Sequence, residues 1–599
     1  MRVADAVAKF VQDELGNDAV FALTGAGIMA LTDGLALRPN LKTIFPHHEQ
    51  TSSMAVDAYS RLTGKTGVAF FSTGPAATNA ITGLAGCFQD SVPALFISGQ
   101  VKRSESTHFR NMPQVRQFGV QELDILPVVK SLTKFHGQLR DPEEVLKILD
   151  QAVYASKSGR PGPSWVEIPM DVQSAQVAEY VQLGRWTLPK HQQLATGSLQ
   201  IIGQIREMIA LSRRPVVIAG QGIRLAGQIE NFLAWVAHQN IPFVTPYLAI
   251  DTSVKTMPNW IGVTGVKGDR AANWAMQESD LILVLGSSMH VSVTGYQYEL
   301  FAPGAKKICI DIDPASHSKM NVRYDLFLEA NLTDVLPLFA GWAAPEDPIS
   351  RIRWVEKLKQ LSLEYPVIQR HYPEDEGVNI YSAIRMVNEL LEDDDCVISD
   401  AGSAFYAVSQ ALALNSDRQR YITSGAMATM GFSLPAAIGA AAAGVTRILA
   451  FTGDGSLQQN IQELSLLAHH QWNIKLLVLN NSGYLSIRAS QIRFHEERIF
   501  GTDASSGVPF PDLSKLAFAY EIPYLAIDSE NQAEELRDFL SQSGPSIVDF
   551  ICPPNQAIIP TLGARLNSDG SMTSPSLSEM NPPLNENELT SIINNLRKT

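Results

Sequence analysis

Cysteine is scarce. The 599-residue chain has four, Cys87, Cys309, Cys396 and Cys552. No two stand at metal-ligand spacing, and four thiols so far apart exclude a disulfide framework. An excess of positive charge is also missing. Lys and Arg number 47 against 61 Asp and Glu, a formal charge of −14, which argues against nucleic acid as a partner, because phosphate backbones need a basic face. Long apolar runs are missing as well. The longest, "LPAAIGAAAAGV", is rich in small residues and stops at Arg447, too short to span a bilayer. The opening "MRVADAVAKFVQDELG" alternates apolar and charged residues like a helix and has no signal-peptide core. Together these absences predict a soluble, reduced, cytoplasmic protein without membrane or nucleic-acid partners.

What is present is an alternation of short β-branched runs with longer helical patterns. "TGVAFFS", "ALFISG", "PVVIAG", "LILVLG", "KICIDID", "ILAFTG" and "IKLLVLNN" are apolar on both faces, as strands of parallel sheets covered by helices are. Polar, Pro-bearing stretches near 185–198 and 343–354 read as linkers. The expected fold class is therefore α/β, with three doubly wound parallel-sheet domains at 1–185, 195–342 and 370–555. A tail over 556–599, rich in Pro, Asn and Ser, reads as a surface arm or a lid.

One motif carries chemistry. "ILAFTGDGSLQQN" ends a strand in Gly453-Asp454-Gly455-Ser456, and the next strand, "IKLLVLNN", ends in Asn480-Asn481. Glycines let a backbone approach a ligand closely, and a helix N-terminus favours phosphate. One carboxylate with amide oxygens is a hard-oxygen set suited to a Mg²⁺ that keeps phosphate ligands. The bland alternative is two ordinary turns. The spacing and both strand contexts favour a diphosphate–metal site.

This pairing resembles the diphosphate signature of thiamine-diphosphate enzymes, and the resemblance runs along nearly the whole chain, closest to acetolactate synthase-like members. "FPHHEQTSSMAVDAYSRLTGKTGVAF", "STGPAATNAITGLAGCFQDSVPALFISGQ" and "ITSGAMATMGFSLPAAIGAA" follow in the family's order. The resemblance implies that Asp454, Asn481 and the carbonyl of Gly483 hold Mg²⁺. It implies that Glu49 hydrogen-bonds the cofactor's pyrimidine ring, with His47 and His48 structural. Met430 matches the apolar wedge beneath a bent cofactor, and the Ala428 carbonyl accepts from its amine. Ser403 and Ala404 match diphosphate contacts, beside Gly453, Gly455 and Ser456. Gly25 matches a loop facing the reactive carbon from another subunit, which implies a homo-oligomer, at least a dimer. Gln121 and Lys134 match residues lining the substrate's access route.

The chain also departs from acetolactate synthases. Ser490 stands where that group has a tryptophan, and Val120 where phenylalanine is usual. The stretch between "GQV" and "QE" is longer and holds Lys102, Arg103, His108, Arg110 and Arg116. A basic loop beside a widened pocket suits a phosphorylated acceptor. The central domain carries "VVIAGQGIRLAG" with Gly220 and Gly222, and Asp311 and Asp313 at a strand end, but lacks the family's Arg- and Asp-bearing flavin-contact sequence. FAD, another nucleotide or no ligand stays open there. The expected activity is decarboxylation of pyruvate and transfer of the two-carbon unit to a carbonyl acceptor, such as a nucleotide-linked keto sugar. The alternatives are condensation of two 2-keto acids, as in acetolactate synthase, and, from another class, a flavin or nicotinamide oxidoreductase.

Overall fold

The structure, a computed structural model, describes residues 1–189, 194–318, 322–372, 377–566, 569 and 571–598. Its described residues form three six-stranded parallel sheets flanked by helices. The first runs Lys42–Ile44, Ala19–Ala22, Gly67–Phe71, Ala94–Gln100, Ser164–Pro169, Phe135–Gln138. The third runs Arg420–Thr423, Cys396–Ser399, Ile448–Gly453, Ile474–Asn480, Ser546–Ile551, Tyr524–Ile527. Counted along the chain, both have the order 2-1-3-4-6-5. The central sheet is different. It runs Leu326–Glu329, Lys306–Asp311, Leu281–Leu285, Pro215–Ala219, Phe243–Thr245, Trp260–Val263, the order 6-5-4-1-2-3 of a dinucleotide-binding sheet. No helix among the described residues is long and apolar enough to cross a membrane.

The chain divides into two compact units. One comprises Met1–Lys190, Asp394–Phe405 and Ile422–Pro554, and the other His191–Asp393, Tyr406–Tyr421 and Asn555–Thr599. In the first unit, helix Glu49–Thr63 and helix Ser433–Ala442 lie in one apolar core shared by the first and third sheets. Their backbones approach so closely that a Cβ on Gly439 would sit 2.1 Å from the Ala55 carbonyl oxygen. This explains the small-residue run noted in the sequence: larger side chains would hold the two helices apart. Helix Glu49–Thr63 is buried on nearly every face because a sheet lies on each side. The His48 ring accepts from Gln50 N–H at its start, and Gly64, at φ +70°, ends it.

In the second unit the tail is anchored. Leu562, Leu577 and Leu596 join a core with Trp274 and Trp354, and the Trp274 indole donates to the Ser578 carbonyl at 3.2 Å. Residues 190–193 of the first predicted linker lie outside the described residues. The second, near 343–354, needs correction. Its latter half begins helix Pro348–Glu364, started by Pro348 at the first turn and by the Asp347 carboxylate accepting from Ser350 N–H. The fully buried Trp354 fixes that helix against the core.

Candidate active site

In the third sheet the strand order reverses between Cys396–Ser399 and Ile448–Gly453. Ligands bind at such a switch point, beyond the carboxyl ends of the strands. Four of the loops there matter. The register sets Gly453 beside Leu479, so Asp454 follows one strand and Asn480-Asn481 end the next. Asp454 is buried, and its two oxygens accept from Gly455 N–H at 2.9 Å and Gly483 N–H at 2.8 Å. Burial pushes its carboxyl up to about 6, against the pull of those two donors.

The two asparagines part company. Adjacent residues at a strand end face opposite ways. Asn480 Oδ1 accepts from Ser482 N–H at 3.2 Å, and its amide supports Asp549. Asn481 is buried, and its Oδ1 has no hydrogen-bond partner. An orphaned buried oxygen is costly unless something outside the chain satisfies it. Asp454 and Asn481 follow the ends of adjacent strands, and their oxygens are the hard donors that suit a hard cation. Gly483 adopts φ +151° and a Cβ there would lie 2.4 Å from the Thr502 carbonyl oxygen, so the turn requires glycine. Gly455 is equally confined: its Cβ would meet the Tyr484 ring at 2.3 Å. Beneath the turn, buried Arg488 donates to the Asn481 carbonyl at 3.0 Å and to the Pro554 carbonyl. The sequence reading missed Arg488.

After strand Cys396–Ser399 come Asp400, then Gly402 at φ +58°, then buried Ser403 and Ala404 at the start of helix Gly402–Ala411. Asp400 was also missed, although a carboxylate before a glycine at a strand end was a visible signal. It accepts from the Thr452 hydroxyl at 2.7 Å and from Phe432 N–H at 3.3 Å. Burial raises its carboxyl to about 6. Asp400 thus ties the third-sheet strand ends to the loop carrying Ala428 and Met430. Ala428 is held at φ +46°, a conformation uncommon for a residue with a side chain, and Met430 is half-buried.

The first sheet has its own switch point, between Ala19–Ala22 and Gly67–Phe71. Gly25 follows the first of these strands. Its Cβ would lie 2.5 Å from Ser72 Oγ, and that hydroxyl accepts from Gly27 N–H at 3.2 Å. Gly74, at φ +65°, faces the Gln121 carbonyl, 2.5 Å from where a Cβ would sit. Gly25 and Gln121 are therefore gathered at one sheet edge through residues 72–74. Glu49 begins its helix there, buried, with Oε2 accepting from Asn79 Nδ2 at 3.0 Å. The neighbouring His47 N–H donates to Glu463, whose buried carboxylate also accepts from the Thr51 hydroxyl at 2.9 Å. Burial raises the Glu463 carboxyl above its ordinary range.

Lys134 is not brought to this edge. It precedes strand Phe135–Gln138, its N–H donates to the Pro163 carbonyl at 2.7 Å, and its stem lies against Gly162, at the opposite end of the parallel sheet. Ser490 is exposed on helix Leu485–Phe494, its hydroxyl bonded back to the Ser486 carbonyl at 3.0 Å. The basic loop divides. Arg103 is committed to Asp171 at 2.7 Å, and Lys102 lies 3.7 Å from Glu105. Arg110 sits over the Phe118 ring at 4.8 Å, and Arg116 is exposed.

In the central sheet, Gly220 and Gly222 pack on the next loop, with Cβ positions 2.1 Å from the Gly286 carbonyl oxygen and 2.7 Å from its Cα. Asp311 faces His317 at 3.4 Å and accepts from Asp313 N–H at 2.9 Å. These glycines and this strand-end carboxylate are engaged within the protein.

Two sheets of the same strand order thus each carry a buried carboxylate at a switch point, Glu49 in the first and Asp454 in the third. Residues 1–126, 202–337 and 400–550 match, in turn, the N-terminal TPP binding domain, the central domain and the C-terminal TPP binding domain of thiamine pyrophosphate enzymes. The chain is 31% identical over 538 residues to the acetolactate synthase isozyme 2 large subunit of Escherichia coli (strain K12), covering 89% of this chain and 92% of that protein. It is 30% identical over 562 residues to isozyme 1 of the same organism, covering 93% and 95%. It is 28% identical over 566 residues to the acetolactate synthase large subunit of Lactococcus lactis subsp. lactis (strain IL1403), covering 93% of each. The chain belongs to the thiamine-diphosphate enzyme family, as a carboligase of its acetolactate synthase-like branch.

Proposed function

We propose that this carboligase decarboxylates pyruvate and joins the two-carbon unit to an anionic carbonyl acceptor bulkier than pyruvate, such as a nucleotide-linked keto sugar. The observation that carries this reading is Ser490, a small side chain folded back onto its own helix where acetolactate synthases have tryptophan. The 84% exposed Val120 and the exposed Arg116 add to it. A second reading, condensation of two 2-keto acids, is favoured by the names of the relatives. Mass spectrometry of products from labelled pyruvate with a panel of acceptors separates the two. Fast acetolactate formation with no product from any phosphorylated carbonyl compound would eliminate the first reading.

Asp454, Asn481 and the Gly483 carbonyl would hold Mg²⁺, with Ser403, Ala404, Gly453, Gly455 and Ser456 around the diphosphate. Thiamine diphosphate, when bound, supplies the electron sink that lets CO₂ leave a 2-keto acid. Glu49, steadied by Asn79, would exchange a proton between its carboxylate and the pyrimidine ring. Met430 would support the cofactor from below, and the Ala428 carbonyl would orient its amine. Gly25 and Gln121 would bound the space where substrate reacts. Glu49 and Asp454 would meet across two subunits, making a homodimer the minimal active form. Exposed Met29, at the start of helix Met29–Ala36, and exposed Met427, just before Ala428, support such a buried seam. Four buried cysteines, none joined in a disulfide, support a reducing compartment such as the cytoplasm.

A further inference from the structure

A cavity of about 470 Å³ opens at the other end of the first sheet's carboxyl edge, beside strands Ala94–Gln100, Ser164–Pro169 and Phe135–Gln138. The long loop supplies one wall through Ser106 and His108, and the segment 122–130 supplies another. None of the residues assigned above to the cofactor lines it. Its size falls within the range of small-molecule sites.

The charges at its lining, Lys130 and Arg140 against Glu122 and Asp124, balance in number but not in availability. Glu122 lines the cavity, but its carboxylate is already engaged by four donors: Thr107 N–H and hydroxyl, Phe118 N–H and Gly119 N–H. Arg140 projects from the end of the edge strand and donates to His108 Nε2 at 2.7 Å, which aims the guanidinium along this wall. The Lys130 side chain lines the same space. Asp124 is the remaining carboxylate at the rim. On the floor, buried Glu167 accepts from Gln100 Nε2 at 2.8 Å and from Gln138 Nε2. Burial pushes its carboxyl up to about 8, so near neutrality the floor does not repel an anion.

The floor is also unfinished. Gln138 Oε1 is buried without a hydrogen-bond partner. Exchanging the amide's oxygen and nitrogen would let Glu167 O–H donate to Gln138, and would leave an orphaned NH₂ instead. Gln138 lines the cavity and is half-buried, so a rotation of its amide would present that atom to the cavity, where a hydroxyl, which both donates and accepts, satisfies either arrangement. We infer that this cavity binds a small hydroxylated anion, its phosphate or carboxylate on Arg140 and Lys130 and a hydroxyl on Gln138. Such an anion is either the charged part of an acceptor or a separate effector.

Isothermal titration of the full-length holoenzyme with inorganic phosphate, gluconate and fructose 6-phosphate tests this without requiring carboligation, so it stands apart from the acceptor reading. The expected result is saturable binding of at least one hydroxylated probe, tighter than that of phosphate, and weakened tenfold or more in Lys130→Gln and in Arg140→Gln. Lys130 is exposed, so its replacement disturbs no packing. No saturable binding by any probe, or undiminished binding in both variants, would overturn the inference. Bound fructose 6-phosphate recovered in a carboligation product makes the cavity an acceptor subsite. Bound probe recovered intact while the rate of pyruvate decarboxylation changes makes it an effector site.

Discussion

Asp90 holds Gly425. Its carboxylate accepts from the Gly425 and Ala426 N–H groups, each at 2.9 Å, just ahead of Ala428 and Met430. The same carboxylate pairs with the buried Arg61 guanidinium at 2.9 Å, and Arg61 also pairs with Asp57 at 2.7 Å. The first-sheet layer thereby positions a loop of the third.

Asp90→Ala leaves Arg61 short of a buried partner and frees two backbone donors. Breaking a buried ion pair from one side costs about 3–5 kcal/mol. Urea unfolding should show a loss of that size, with Asp90→Asn milder because an amide oxygen still accepts. An unchanged unfolding midpoint in Asp90→Ala would count against this network.

Asn481→Leu separates stability from binding. Removing an orphaned buried oxygen should leave the cofactor-free protein as stable as wild type or more so, by up to about 1–3 kcal/mol. Mg²⁺ with thiamine diphosphate should then no longer raise the melting temperature in scanning calorimetry. A wild-type shift would place Asn481 outside the metal site.

Glu49→Gln keeps shape and the contact with Asn79 but cannot carry a proton. Cofactor should still bind. Hydrogen–deuterium exchange at the cofactor's reactive carbon should slow about 10²–10⁴-fold, the worth of a positioned acid or base. Exchange at the wild-type rate would remove Glu49 from that role.

Much of the fold was legible because burial on both sides writes itself as uninterrupted apolar runs. Gly67–Phe71 and Ile474–Leu479 are buried throughout and were readable. Edge strands were not. Lys42–Ile44 and Tyr524–Ile527 each have an open side, carry exposed residues and resemble loops. In the candidate site, Asp454 at a strand end and the confined Gly455 beside it were legible as a turn motif. Which asparagine faces inward was not, because it depends on where the strand ends. Asp90 and Glu463 act on segments far along the chain, and no local pattern marks such contacts.

Mixing Glu49→Gln with Asp454→Ala protein tests the subunit arrangement. If each site draws on two chains and subunits exchange, some mixed dimers contain one intact site and activity returns. A dilution-stable, fully active monomer in sedimentation would contradict it.

The Glu167 carboxyl gives a pH signature. Its folded value, about 8, lies above the ordinary 4.5, so the folded state holds a proton that the unfolded chain has released. That stabilisation is complete below about pH 4.5 and is lost as pH rises toward 8. Glu167→Gln, neutral throughout, should flatten the decline of unfolding free energy between pH 5 and 8. Parallel curves for the two proteins would refute the shift.

The contact of Gly439 with Ala55 has a mechanical consequence. Two helices whose backbones touch cannot slide without a steric clash, and neither can tilt apart without opening a void in a core common to two sheets. That seam works as a weld. Against that fixed seam, the loop from Gly425 to Met430 is fastened at its start to the first-sheet layer through Asp90.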